Sequence, residues 1–120
     1  MKVAFTTGGD NLSAPLEQRF GRAPKFLVCD LDSGAFEVAD NVRNLNAAQG
    51  AGIQSAQAVA KLGAGALVSG HCGPKAFRVL SAAGVKIYPC AAATVGEALE
   101  QYVAGALAEA GAPDVEGHWV

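Results

Sequence analysis

The side chains able to do chemistry in this sequence gather at a few places, and the densest is Gly70-His71-Cys72-Gly73, a soft-ligand pair held between two glycines and followed by Pro74 and Lys75. Thiolate and imidazole suit copper, zinc or metal–sulfur clusters. A second thiol, Cys90, stands directly after Pro89 at the end of the next apolar run, so Cys72 and Cys90 are the candidate metal-contacting residues, with His71 beside them. Neither cysteine belongs to a C-x-x-C pair, so the spacing does not support a closed tetrahedral zinc site, and an exposed ligand site is the expectation. Cys29 falls inside the apolar run Phe26-Leu27-Val28-Cys29 and reads as a small buried hydrophobe.

The same region has the makings of an anion site. Pro74 suits the first position of a helix, where its fixed φ is already helical and its missing N–H would have had no partner. The N–H groups of that helix start, and the positive end of its dipole, would face whatever lies above Gly70 to Gly73, with Lys75 adding a charge. Gly50-Ala51-Gly52 precedes a second helix in the same way. Arg19, Gly21, Arg22 and Lys25 cluster in a loop with little acid among them, and Gly8-Gly9 ends the first strand. The expected cradle is therefore Gly8, Gly9, Arg19, Gly21, Arg22, Gly50, Gly52, Gly70, His71, Gly73 and Lys75; an ordinary solvated loop face is the plainer alternative for the Arg and Lys residues.

Other chemistries compete for these residues. His71-Cys72 to Arg78 satisfies H-C-x5-R, the pattern of cysteine-dependent phosphatases, with Cys72 as thiolate nucleophile and Arg78 as phosphate clamp. A phosphate loop needs successive N–H donors, however, and here Pro74 has none, Lys75 stands where Gly is wanted and Val79 where Ser or Thr is wanted. A metal-dependent nuclease would need carboxylates in the first strand, and Val3 to Thr7 has none. A regulatory or scaffolding module that meets a protein partner is compatible with the long loops and with Trp119 in the tail.

These residues must be positioned by a chain of 120 residues, enough for one domain and too few for two separate cores. It is 51% hydrophobic and 17% charged, which excludes a disordered chain. A net charge of −2 and 7% aromatic content argue against nucleic acid as a partner, since there is neither a basic field nor an array of stacking platforms. No apolar run reaches the roughly 20 residues that span a bilayer, and the N-terminus turns polar too soon for a signal peptide. No membrane association and a cytoplasmic location are expected, with the odd number of cysteines reduced.

Met1 to Thr7, a short β-branched and aromatic run ended by Gly8-Gly9, reads as a buried strand, and Lys25 to Leu31 and Ala35 to Ala39 read as two antiparallel strands joined by a hairpin at Asp32-Ser33-Gly34. Helical spacing follows from Gly52 to Leu62, then a short strand Ala66 to Ser69, a helix from Pro74 or Lys75 to Ala83, a strand Val85 to Tyr88, and a helix from a Thr94 cap to about Leu107 with Glu97 completing a capping box. Residues 10–24 read as a long loop with one helical turn around Leu16 to Arg19. The order β-β-β-α-β-α-β-α predicts an α/β domain over residues 1–108, a mixed five-stranded sheet flanked by helices in the ribonuclease H-like arrangement, with a loosely held tail over 109–120. In such a sheet, ligands gather outside the carboxyl ends of the parallel strands.

Phe20-Gly21-Arg22-Ala23-Pro24-x-Phe26, then Gly50-Ala51-Gly52 before a helix, then Gly70-x-x-Gly73-Pro74-x-Ala76, resemble in their order the dinitrogenase iron-molybdenum cofactor biosynthesis family, especially its small stand-alone members, the orange proteins. The resemblance covers nearly the whole chain apart from the tail. It implies a ribonuclease H-like fold and the non-catalytic binding or carriage of a molybdenum-containing metal–sulfur cluster. In orange proteins that cluster holds molybdenum, copper and sulfide without a covalent anchor; an iron-molybdenum-type cluster is the alternative cargo. Protein partners in cluster delivery or complex assembly are implied as well. Arg19 departs from the His found in many members, which removes a metal ligand there and adds N–H donors suited to anionic sulfide.

Overall fold

Alternation along each strand decides which face its side chains enter. The computed structural model, which describes residues 1–45 and 50–111, builds β1 from Lys2–Thr7, β2 from Lys25–Asp30 and β3 from Phe36–Asp40. In β1, Val3 and Phe5 enter one core while Ala4 enters the other; in β2, Leu27 and Cys29 side with the first and Phe26 and Val28 with the second. The hairpin between β2 and β3 turns at Gly34, whose φ of 77° is the left-handed conformation that a side chain would resist. Two more strands, β4 (Ala64–Ser69) and β5 (Lys86–Pro89), complete a five-stranded sheet in the order β3-β2-β1-β4-β5. The β2 pairings are antiparallel, and β1–β4 and β4–β5 are parallel.

Helices cover both faces. On one side α2 (Ala51–Lys61), α3 (Pro74–Ala82) and a 3-10 turn at Phe20–Arg22 bury Phe20, Phe26, Ala56, Val59, Leu67 and Leu80, with the Phe20 and Phe26 rings stacked at 5.8 Å between centroids. On the other side α4 (Val95–Val103) buries Val3, Phe5, Val68, Val95 and Ala98. This is the predicted mixed sheet flanked by helices, in the predicted order, with one addition: a single helical turn, α1 (Val42–Leu45), in the polar segment after β3. Its signal was too short to register as a period. Asn41 anchors that turn from beneath, donating from its buried amide to the Ala23 carbonyl at 2.8 Å and the Ser55 hydroxyl at 2.9 Å.

Several boundaries move. β4 begins two residues earlier than predicted, because the chain enters the sheet directly after Gly63. α4 ends at Val103 rather than Leu107, with Gly105 at φ 74° turning the chain away. Thr94 caps α4 as expected, its hydroxyl accepting the Glu97 N–H at 3.2 Å, but Glu97 returns its carboxylate to the Ala93 N–H rather than to Thr94 itself. Beyond α4, Ala110 donates its N–H to the Ile87 carbonyl at 2.8 Å, laying residue 110 against β5. Residues 112–120, including Trp119, lie outside the described residues. No described helix is long and apolar enough to cross a membrane.

The largest departure from the sequence reading concerns residues 10–19. No helical turn forms at Leu16 to Arg19. That stretch is extended and makes bridges to three elements, Leu16 to Thr7, Pro15 to Thr94 and Arg19 to His71; the helical turn comes one step later, at Phe20–Arg22. Local propensity is overridden here by strand ends that offer unused backbone groups.

Candidate functional site at the carboxyl rim of the sheet

Pairing between β1 and β4 runs as far as Phe5 opposite Val68 and stops. From Thr6 and Ser69 onward the two strands part, and the extended strap of residues 15–20 enters the fork between them. Glu17 donates its N–H to the Thr6 carbonyl at 2.8 Å, His71 donates to the Gln18 carbonyl at 2.7 Å, and Phe20 donates to the His71 carbonyl at 2.9 Å. Leu16 and Val95 tie the same strap to the segment after β5, through Leu16 N–H to Ala93 O at 3.1 Å and Val95 N–H to Ala14 O at 2.9 Å. The consequence is positional. Arg19 and His71, far apart in sequence, become bridge neighbours on the rim, both exposed.

The glycines at this rim have separable reasons for being glycine. At Gly70 an added Cβ would fall on the Gln18 backbone, colliding with its carbonyl oxygen and standing 2.5 Å from its Cα. The space beside Gly70 is thus filled by the strap. At Gly9 an added Cβ would collide with the Ala14 methyl, so that residue too seats the strap. Gly8 is exposed and would meet only Pro24 at 3.8 Å. Gly73 caps α3 in extended conformation with Pro74 at the first helical position, as the sequence predicts, and Lys75 is exposed in that first turn. Gly21 is buried in the 3-10 turn, with exposed Arg22 next to it, and α2 packs on that turn. Gly50, with φ 82°, and Gly52, buried, begin α2. Lys25 is drawn off by an ion pair with Asp10 at 2.5 Å and contributes less to any positive field here.

The thiols do not converge. Cys72 is 4% exposed and packs with Phe20, Ala76 and Leu80 on the α3 face, its thiol directed at the Gly73 carbonyl at 3.8 Å. Cys90 is 5% exposed and packs with Leu16, Val95 and Ala98 on the α4 face, accepting the Ala92 N–H at 3.5 Å and reaching Gln101 Oε1 at 3.5 Å. They belong to cores on opposite sides of the sheet. Cys29 is the buried hydrophobe the sequence suggested, and burial, aided by the Asp30 charge, pushes its thiol above the ordinary value. Among the described residues no group of three or more His, Cys, Asp or Glu could hold a metal ion. What the rim does present is a shallow groove of about 240 Å³ lined by Gln18, Gly70, His71, Pro89, Cys90 and Ala91.

Two buried hydroxyls, Thr6 and Ser69, were missed by sequence reasoning. Thr6 Oγ1 donates to the Glu17 carbonyl at 2.9 Å and lies 3.0 Å from Ser69 Oγ. Hydroxyl residues at the carboxyl ends of two neighbouring apolar runs, Thr6-Thr7 after Val3-Ala4-Phe5 and Ser69 after Ala66-Leu67-Val68, were the available signal.

With this geometry in place, the sequence profile of the family described as dinitrogenase iron-molybdenum cofactor matches residues 1–105. The chain belongs to that family. Among solved structures it is similar to the apo form of the orange protein from Desulfovibrio gigas, with 39% identity, a TM-score of 0.92 and coverage of 95% of this chain and 96% of that one. It is also similar to a Thermotoga protein provisionally assigned as NifB, at 36% identity and a TM-score of 0.79, covering 90% of this chain and 91% of the other. An uncharacterised protein of Methanocaldococcus jannaschii is 28% identical over 109 residues, 89% of each chain. The match to the family and to the orange protein fold agrees with the resemblance read from the Phe20–Phe26, Gly50–Gly52 and Gly70–Ala76 blocks, and associates this domain with cofactor or cluster binding.

Proposed function

We propose that this protein binds and carries an anionic molybdenum-containing metal–sulfur cluster, of molybdenum, copper and sulfide, at the carboxyl rim of its sheet and without catalytic turnover. The observation that carries the reading is the strap, whose backbone bridge makes exposed Arg19 a neighbour of His71, the residue that precedes Cys72 and the α3 start, where Gly73, Pro74 and Lys75 present a helix N-terminus and an ammonium group. A thiomolybdate-type cargo is a polyanion with soft sulfur edges, and its natural protein partners are N–H donors and cations at the periphery. Arg19, Arg22, His71 and Lys75 would supply them, with Gly8 leaving exposed backbone after β1. Two buried thiols on opposite faces do not form a ligand pair, so the cargo is held non-covalently, by its sulfide edges.

An iron-molybdenum-type cluster offers similar anionic sulfide edges and is the alternative cargo. Delivery would require a protein partner, and the edge strand β3, with Phe36 and Val38 exposed, is compatible with a module that meets one. The test is to load the protein anaerobically with molybdenum, copper and sulfide, desalt it, and compare Cys72→Ser and Cys90→Ser with the parent by metal content and visible absorption. Both variants should retain the cluster. Its loss from either one, with the fold intact, would replace the non-covalent reading by thiolate ligation.

A further inference from the structure

Thr6 and Ser69 stand where β1 and β4 part, at 0% and 2% exposure, and neither belongs to the exposed groups that would meet a ligand. Their hydrogen bonds have a fixed logic. The Thr6 hydroxyl has one proton, and the Glu17 carbonyl, at 2.9 Å, can only accept. The proton in the 3.0 Å contact between the two hydroxyls is therefore Ser69's, giving a chain from Ser69 through Thr6 to the strap. Thr6 thus holds the Glu17 peptide twice, through its carbonyl on the Glu17 N–H and through its hydroxyl on the Glu17 carbonyl. By contrast the backbone contact from Gly70 N–H to that same carbonyl is long, at 3.4 Å. The side-chain hydroxyl is the stronger partner of the group that begins the strap's run along His71.

We propose that the Thr6–Ser69 hydroxyl pair is the positioning element of the rim: it fixes the strap in the fork and thereby sets Arg19 beside His71. This rests on the cluster-binding reading for its consequence, but not for its structural content. Replacing Thr6 by Val keeps the shape and removes the donor, so a buried carbonyl and a buried hydroxyl lose a partner together. The strap should open locally more often while the sheet beneath stays closed, since local opening draws only on the bonds it breaks.

Amide hydrogen exchange of the cluster-free protein reads this directly. In Thr6→Val, exchange of the Glu17, His71 and Phe20 amides should accelerate about ten- to a hundredfold, and in Ser69→Ala, which leaves the Thr6 bond to the Glu17 carbonyl in place, by a smaller factor, while amides of β2 and the inner part of β4 exchange as in the parent in both. Thr6→Ser, which restores the hydroxyl, should return the strap amides towards parent rates. Unchanged strap exchange in Thr6→Val would overturn the proposal, and so would acceleration spread evenly over the sheet or a failure of Thr6→Ser to rescue. The same variants are then loaded with molybdenum, copper and sulfide: Thr6→Val should retain less metal after desalting than Thr6→Ser. If the parent itself retains none, the cargo reading fails while the exchange result stands. If Thr6→Val shows the local opening and yet binds as the parent does, the pair does not position the site.

Discussion

Gly70→Ala should be one of the most damaging single-methyl changes this protein can suffer. The added Cβ lands on the Gln18 backbone, 2.5 Å from its Cα, so the strap must move away from β4 by a large fraction of an ångström or more. Two backbone bonds depend on that spacing, His71 N–H to Gln18 O at 2.7 Å and Phe20 N–H to His71 O at 2.9 Å. At about 1 kcal/mol for each of the two bonds weakened, and about 1 to 3 kcal/mol for overpacking against backbone that cannot rotate aside, the expected loss is about 3 to 5 kcal/mol. Gly8→Ala is the internal control: its Cβ meets only Pro24 at 3.8 Å, and the change should lie within about 1 kcal/mol of the parent in either direction. Urea denaturation followed by circular dichroism separates the two, with a Gly70→Ala midpoint lower by on the order of 1 M or more at an unchanged slope. Equal midpoints for the two variants would refute the fork-and-strap description of the rim.

Thr94→Ala removes the acceptor of the Glu97 N–H and should lower stability by about 1 kcal/mol, measured by the same denaturation curve. All three cysteines are buried, so a colourimetric thiol reagent should modify them slowly in the native protein and fully in urea; rapid native labelling of one thiol would show that its core face opens. At the opposite pole the Met1 ammonium lies 2.7 Å from the Asp32 carboxylate, which raises its pKa above the ordinary value, and that of Asp30 is lowered by the backbone N–H groups of Asp32 and Ser33. The raised amine contributes stability that is complete below its ordinary value and lost as pH climbs through its folded one; the depressed Asp30 contributes above the ordinary carboxylate range and loses this as pH falls. An NMR titration should place the amine above and the carboxyl below their values in an unfolded peptide, and N-terminal acetylation should remove the alkaline effect.

The fold was legible because its signals are local. Val3-Ala4-Phe5 belongs to a short apolar run ended by Gly8-Gly9, Asp32-Ser33-Gly34 is a hairpin turn signal, and Gly73-Pro74 suits a helix start. The rim was legible only in outline. That Arg19 neighbours His71 depends on which backbone groups the ends of β1 and β4 leave unused, a tertiary fact that no window around Leu16 contains, and this is why a helical turn was expected where an extended strap lies. The role of Gly70 was hidden for the same reason, since glycine beside a ligand and glycine beside a crossing chain look alike in sequence. Cys72 and Cys90 both follow strand ends, yet the side chains fall on opposite faces of the sheet, a distinction set by register rather than by proximity in the fold.

The most direct measurement of the central claim is co-elution of metal with protein as salt is varied. The parent, loaded anaerobically with molybdenum, copper and sulfide and passed over a desalting column, should carry both metals and a visible absorption band, and should lose them progressively as ionic strength rises. A variant with Arg19, Arg22 and Lys75 all replaced by Ala should keep its fold and elute without metal at a salt concentration where the parent keeps it. Metals that never co-elute with the parent, or that stay equally bound in the triple variant at every salt concentration, would contradict an anion cradle at the carboxyl rim.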